Sequence, residues 1–135
     1  MRAVLDPNIL IAALLAPAGA PAQLLGRWLA GAFELVVCDE LLAELERALA
    51  YPKLRRHVRA DEAGELIALP RGACIVAPDP RSPPRRSADP GDDYLLALAE
   101  QEHAVLVSGD QHLLALAGEL PIQTARAFLD QLAGG

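Results

Sequence analysis

Short, unbroken apolar runs alternate with segments of helical period along the chain, and this alternation restricts the fold more than any other feature. Arg2–Leu5, Phe33–Val37, Cys74–Val76 and Ala104–Val107 read as strands, with Pro121–Gln123 as a further short extended stretch. Their apolar residues are continuous rather than alternating, which predicts strands buried on both faces. Between them the sequence predicts helices over Asn8–Leu15, Pro21–Gly31, Glu40–Ala50, Lys53–Val58, Asp61–Leu69, Asp92–His103, Gln111–Ala117 and Thr124–Leu132. Boundary residues support them: Pro7 sits where a first helical residue belongs, Gly31 closes the second helix, and Asp39 stands at the cap of Glu40–Ala50. The pattern predicts a three-layer α/β/α fold around a short central parallel sheet, one domain over residues 1–135.

Composition says what builds that core. Apolar residues make up 53% of the chain and aromatics only 4%, so Leu, Ala, Val and Ile must fill the interior. The longest apolar run, Ile9–Ala16, is too short to span a bilayer, and Asp6 comes too early for a secretion signal, so a cytoplasmic protein without a membrane partner is expected. Cys38 and Cys74 have no ligand spacing, which argues against zinc and predicts two small buried hydrophobes. Residues 78–91 hold five prolines and three arginines and read as a loop within the domain.

In parallel α/β sheets ligands sit beyond the carboxyl ends of the strands, and Asp6 and Asp110 both fall at such ends. Each acid has an ordinary reading. Asp6 and Asp110 can cap helices, Asp92 and Asp93 suit a helix's first turn, and Glu44 can share a wet face with Glu40 and Arg47. Taken together, Asp6, Glu44, Asp93 and Asp110 come in an order that a parallel sheet can gather. Hard divalent cations want several carboxylate oxygens from different elements, and four like charges in one cleft repel one another without a cation.

Asp6-Pro7-Asn8-Ile9-Leu10 resembles the opening Asp-x-Asn-hydrophobic motif of PIN domains. Leu41-Leu42-Ala43-Glu44-Leu45 resembles their second acidic motif, Asp92-Asp93-Tyr94-Leu95-Leu96-Ala97 the third, and Leu106-Val107-Ser108-Gly109-Asp110 the fourth. The resemblance covers nearly the whole chain and is closest to the VapC-like toxin subgroup of toxin–antitoxin systems. It implies a ribonuclease dependent on Mg²⁺ or Mn²⁺, often dimeric and often paired with an antitoxin. Asp6, Glu44, Asp93 and Asp110 would be catalytic and metal-binding, with Asn8, Ser108 and Asp92 in secondary places behind them, Asn8 as a hydrogen-bonding group. Arg55, Arg56, Arg59, Arg85 and Arg86 are candidates for gripping the RNA backbone; for each, a solvated surface charge is the plain alternative.

Two positions depart from the family pattern. Pro7 stands where a hydroxyl residue is usual and removes a hydrogen-bond donor; His112 stands where many relatives have a further Asp, and imidazole favours softer metals than Mg²⁺. The alternative is therefore a PIN scaffold with weakened or lost catalysis that binds RNA or a protein. A phosphoaspartyl hydrolase fits less well, because it would want a second Asp where Asn8 stands and a well-placed lysine, whereas Lys53 is the single lysine and lies in a basic segment.

Overall fold

In the computed structural model, residues 1–59 and 74–134 are described, together with Glu62 and Glu65. The first strand β1 (Arg2–Leu5) leads directly into α1 (Pro7–Leu15), and α2 (Ala20–Leu29) follows. Then come β2 (Glu34–Val37), α3 (Asp39–Leu49), the single turn α4 (Pro52–Arg55) and β3 (Ile75–Val76). A 3₁₀ turn at Pro90–Asp92 opens α5 (Asp93–Gln101), followed by β4 (Val105–Val107), α6 (Gln111–Leu114), β5 (Ile122–Gln123) and α7 (Ala125–Gly134). The helix expected over Asp61–Leu69 lies, Glu62 and Glu65 aside, outside the described residues.

Every strand pairing is parallel, in the order β3-β2-β1-β4-β5. The expectation of a three-layer α/β/α arrangement holds. Helix α1 contacts α2 and α3, and α2 contacts α7, while α5 packs on β1 and β4. The connections from β1 to β2 to β3 move one way across the sheet, and the chain then crosses back to β4. Right-handed crossovers place the two sets of connecting helices on opposite faces. The strand order therefore reverses between β1 and β4, the topological switch point where such sheets open a crevice.

Burial follows the unbroken apolar pattern. Ala3, Val4, Leu5, Leu35, Val36, Val37, Leu106 and Val107 are all at most 1% exposed, so the central strands are covered on both faces. Leu41, Leu42 and Leu45 turn the inner stripe of α3 into the core, and Phe33 meets Phe128 of α7 edge to face at 5.2 Å. Cys38 is buried and Cys74 partly so; burial pushes the Cys38 thiol up to about 12, an inert group.

Helix ends explain the small differences from the sequence reading. Gly31, at φ +85°, closes α2 by letting Ala32 N–H reach Arg27 C=O at 2.9 Å. The same closure ends α5 at Gln101 instead of His103. His103 itself adopts φ +52°, and Ala104 N–H donates to Ala99 C=O at 2.8 Å. A left-handed cap built on histidine carries no glycine to announce it. The helices α4 and α6 are also shorter than expected, each four residues long.

Candidate functional site

The site begins one step beyond the paired part of β1 and β4. Leu5 is in register with Val107, and Asp6 N–H extends the ladder by donating to Val107 C=O at 3.0 Å. The next residues, Asp6 and Ser108, are thereby set side by side. Ser108 is fully buried and donates its hydroxyl to Asp6 Oδ2 at 2.8 Å. The same hydroxyl oxygen accepts Asp110 N–H at 3.0 Å, so one serine ties together the two acids that end the central strands.

Both strand-end acids also act as helix caps. Asp6 Oδ1 accepts Asn8 N–H at 3.0 Å at the start of α1, and Asp110 Oδ1 accepts His112 N–H at 2.8 Å at the start of α6. Capping does not exhaust either carboxylate, because each oxygen has two lone pairs. Asp6 is only 4% exposed, and burial raises its pKa against the pull of Asn8 N–H and Ser108; the charge of Asp110 raises it further.

Asp93, the first residue of α5, is 3% exposed. Its Oδ1 accepts two backbone N–H groups from the proline-rich loop, Arg86 at 3.2 Å and Ser87 at 2.8 Å. Its Oδ2 is buried with no hydrogen-bond partner. An unpartnered carboxylate oxygen in the interior costs free energy unless a cation or water answers it. That oxygen, the spare lone pairs of Asp6 and Asp110, and the all-oxygen character of the set fit a hard divalent cation.

Glu44 on α3 accepts a hydrogen bond from the hydroxyl of Tyr94, the residue after Asp93. Tyr94 is 3% exposed, and burial followed by the Glu44 interaction raises its pKa, so it remains a donor. Tyr94 is a residue of the site that the acidic motifs do not mark. Its only signal was a lone tyrosine, next to an acid, in a helix of Leu and Ala.

Asp92 is where the charges of the cluster add up. It caps α5 without making a side-chain cap hydrogen bond, and its pKa rises to about 6. Burial is the largest cause, followed by the negative charges of Asp6, Asp89, Asp110 and Glu44. Acids from four separate stretches of chain thus share one field. Even so, among the described residues no three His, Cys, Asp or Glu side chains already stand around a single ion position.

The other positions singled out from sequence fall as follows. Asn8 is exposed and only its backbone is engaged with Asp6. Pro7 is buried at the first position of α1, while His112 is exposed. Arg86 pairs its guanidinium with Glu100, Arg59 lies 3.3 Å from Glu62, and Arg56 and Arg85 are exposed. The side chain of Arg55 lies outside the described residues.

The family model described as PIN domain matches residues 2–112. No curated protein sequence matches the chain at a significant level. Among solved structures, VapBC2 from Rickettsia felis, bound to a DNA fragment from their promoter, is similar with a TM-score of 0.63 at 13% identity, covering 92% of this chain and 98% of that one. A domain of a functionally unknown Methanocaldococcus jannaschii protein matches with a TM-score of 0.56 at 15% identity, covering 91% and 89%. A PilT N-terminus domain protein from Sulfolobus solfataricus gives 0.52 at 15% identity, covering 98% and 93%. At these identities the likeness shows the fold alone.

Proposed function

Because the chain belongs to the PIN domain family, we propose that it is a divalent-metal-dependent endoribonuclease and the toxin of a toxin–antitoxin pair. The observation that carries this reading is the buried, unpartnered Oδ2 of Asp93, next in the chain to Asp92, whose carboxyl feels the charges of Asp6, Asp110 and Glu44. Asp6, Asp93 and Asp110 would hold Mg²⁺ or Mn²⁺, with Glu44 completing the set or orienting water. A bound ion of this kind supplies an acidified water and neutralises charge on the scissile phosphate.

The chain's own residues prepare the site. Ser108 holds one Asp6 oxygen and the Asp110 backbone in fixed relation. The Arg86 and Ser87 N–H groups fix Asp93 through Oδ1 and leave Oδ2 uncommitted. Tyr94 orients Glu44. The likeness to the Rickettsia felis VapBC2 assembly supports a cognate antitoxin as partner, and a cytoplasmic homodimer is part of the same proposal.

A second reading is a PIN scaffold that binds RNA or protein without turnover. It is favoured by the lack, among the described residues, of three acids already gathered around one point. Single-turnover cleavage of a mixed single-stranded RNA pool with Mn²⁺ decides between them. The nuclease reading expects cleavage that disappears in an Asp6→Asn/Asp93→Asn double variant. Equal cleavage by that purified variant, or none by the parent chain, contradicts it.

A further inference from the structure

Two surface clefts meet at Asn8. One, of about 470 Å³, lies against Ile9, Ala12, Pro21, Gly109 and Asp110, directly beside the acid cluster. The other, of about 460 Å³, lies between α1 and the end of α3, lined by Ile11, Ala48, Tyr51, Lys53 and Leu54. Asn8 lines both, is exposed, and has no side-chain hydrogen bond among the described residues. The two clefts therefore form a path that starts at Asp110, crosses Asn8 and ends at the start of α4.

The far end of that path has the parts that hold an unpaired nucleic-acid strand. Tyr51 is 65% exposed, the highest value among the large exposed hydrophobics of the described residues. Its backbone is nonetheless fixed: its N–H donates to Ala48 C=O at 3.2 Å and its C=O accepts Leu54 N–H at 3.0 Å. The ring is thus displayed from a held position. Two residues on, Lys53 is exposed and, among the described residues, has no ion-pair partner; Arg56, just past the turn, is likewise exposed and unpaired. In a chain with a net charge of −6, unpaired cations beside an apolar cleft that shares Asn8 with the cleft at Asp110 match an extended anion with flat apolar groups. Single strands are held by this combination: aromatic rings stack bases of any sequence, and cations meet the backbone between them.

We propose that the RNA strand leaves the acid cluster across Asn8 and enters the cleft between α1 and α3, where Tyr51 stacks on a base and Lys53 meets a neighbouring phosphate. Asn8, with both an amide donor and an acceptor free, hydrogen-bonds the nucleotide between the two clefts. This rests on the ribonuclease reading and assigns binding residues to it that lie outside the acid motifs.

The test measures anisotropy of a fluorescein-labelled mixed-sequence single-stranded RNA decamer on full-length Asp93→Asn protein, alone and with Tyr51→Ala, Tyr51→Phe or Lys53→Gln. Cleavage of the same RNA by the parent chain is followed in parallel. Tyr51→Ala should weaken binding roughly tenfold and Tyr51→Phe less than about twofold. Lys53→Gln should reduce the slope of log affinity against log salt by about 0.7. Unchanged thermal melting shows that the variants fold, as expected for exposed side chains. If the parent cleaves while Tyr51→Ala and Lys53→Gln bind as the Asp93→Asn protein does, the path is wrong and the nuclease reading survives. A cleft that seats a protein helix instead gives that same unchanged RNA affinity. A parent chain that neither binds nor cleaves the RNA removes both.

Discussion

Ser108→Ala tests whether one buried hydroxyl holds the two strand-end acids together. The change removes the 2.8 Å bond to Asp6 Oδ2 and the 3.0 Å bond from Asp110 N–H, in a position with no solvent access. A hydrogen bond to a charged group contributes about 1.5–3 kcal/mol and a backbone partner about 1 kcal/mol. No water can replace the first without a cavity, so the variant should lose roughly 2–4 kcal/mol. For a domain of this size that is a fall in Tm of about 8–15 °C. The loss should depend on pH. Ser108 stabilises the ionised form of Asp6 against the burial that raises its pKa. Its contribution is therefore present where Asp6 is ionised and is lost as pH falls through the raised Asp6 value. Urea unfolding in EDTA at several pH values reads both effects. A loss under about 0.5 kcal/mol, or one that stays the same from pH 7 down to below the ordinary carboxylate value of 3.8, would refute the assignment.

Other side chains in the cluster give further expectations. Asp92→Asn should stabilise the metal-free protein at pH 7. The Asp92 pKa, raised from 3.8 to about 6, means that ionisation costs folding free energy. A rise of that size corresponds to about 3 kcal/mol, which partial exposure reduces to about 1–2 kcal/mol. The penalty is absent below pH 3.8, grows as pH rises through about 6, and is complete above it, so the gain from Asp92→Asn should vanish in acid unfolding curves. No gain at pH 7 would contradict the shared field. Tyr94→Phe removes the only hydroxyl donor to Glu44 among the described residues and should cost about 1–2 kcal/mol in urea unfolding. A cleavage rate lowered at least several-fold, with unchanged RNA affinity, would mark Tyr94 as a positioning residue; an unchanged rate would leave it a packing residue.

Much of this fold was legible in sequence because the central strands are apolar without interruption and their ends are marked by Asp6 and by Ser108-Gly109-Asp110. Once β1 and β4 are neighbours in register, the pairing of Asp6 with Ser108 follows directly. The capping reading and the cluster reading of Asp6 and Asp110 proved compatible, since one oxygen can cap while lone pairs remain. What was not legible depends on contacts between distant stretches. Nothing in Arg86-Ser87 announces that their N–H groups hold Asp93, and nothing near Tyr94 announces Glu44, fifty positions away. The local motif around Asp92 does not single it out, because acids distant in the chain help set its ionisation. Nothing beside Arg86 in the chain marks its pairing with Glu100 on α5.

The most direct measurement is calorimetric titration of Mn²⁺ into the metal-free full-length chain and its Asp93→Asn variant. Cation sharing at the β1/β4 rim predicts saturable binding by the parent. It also predicts affinity at least about tenfold weaker in the variant, because the buried unpartnered Oδ2 is then gone as an anionic ligand. No saturable binding by the parent, or equal binding by the two proteins, would contradict it.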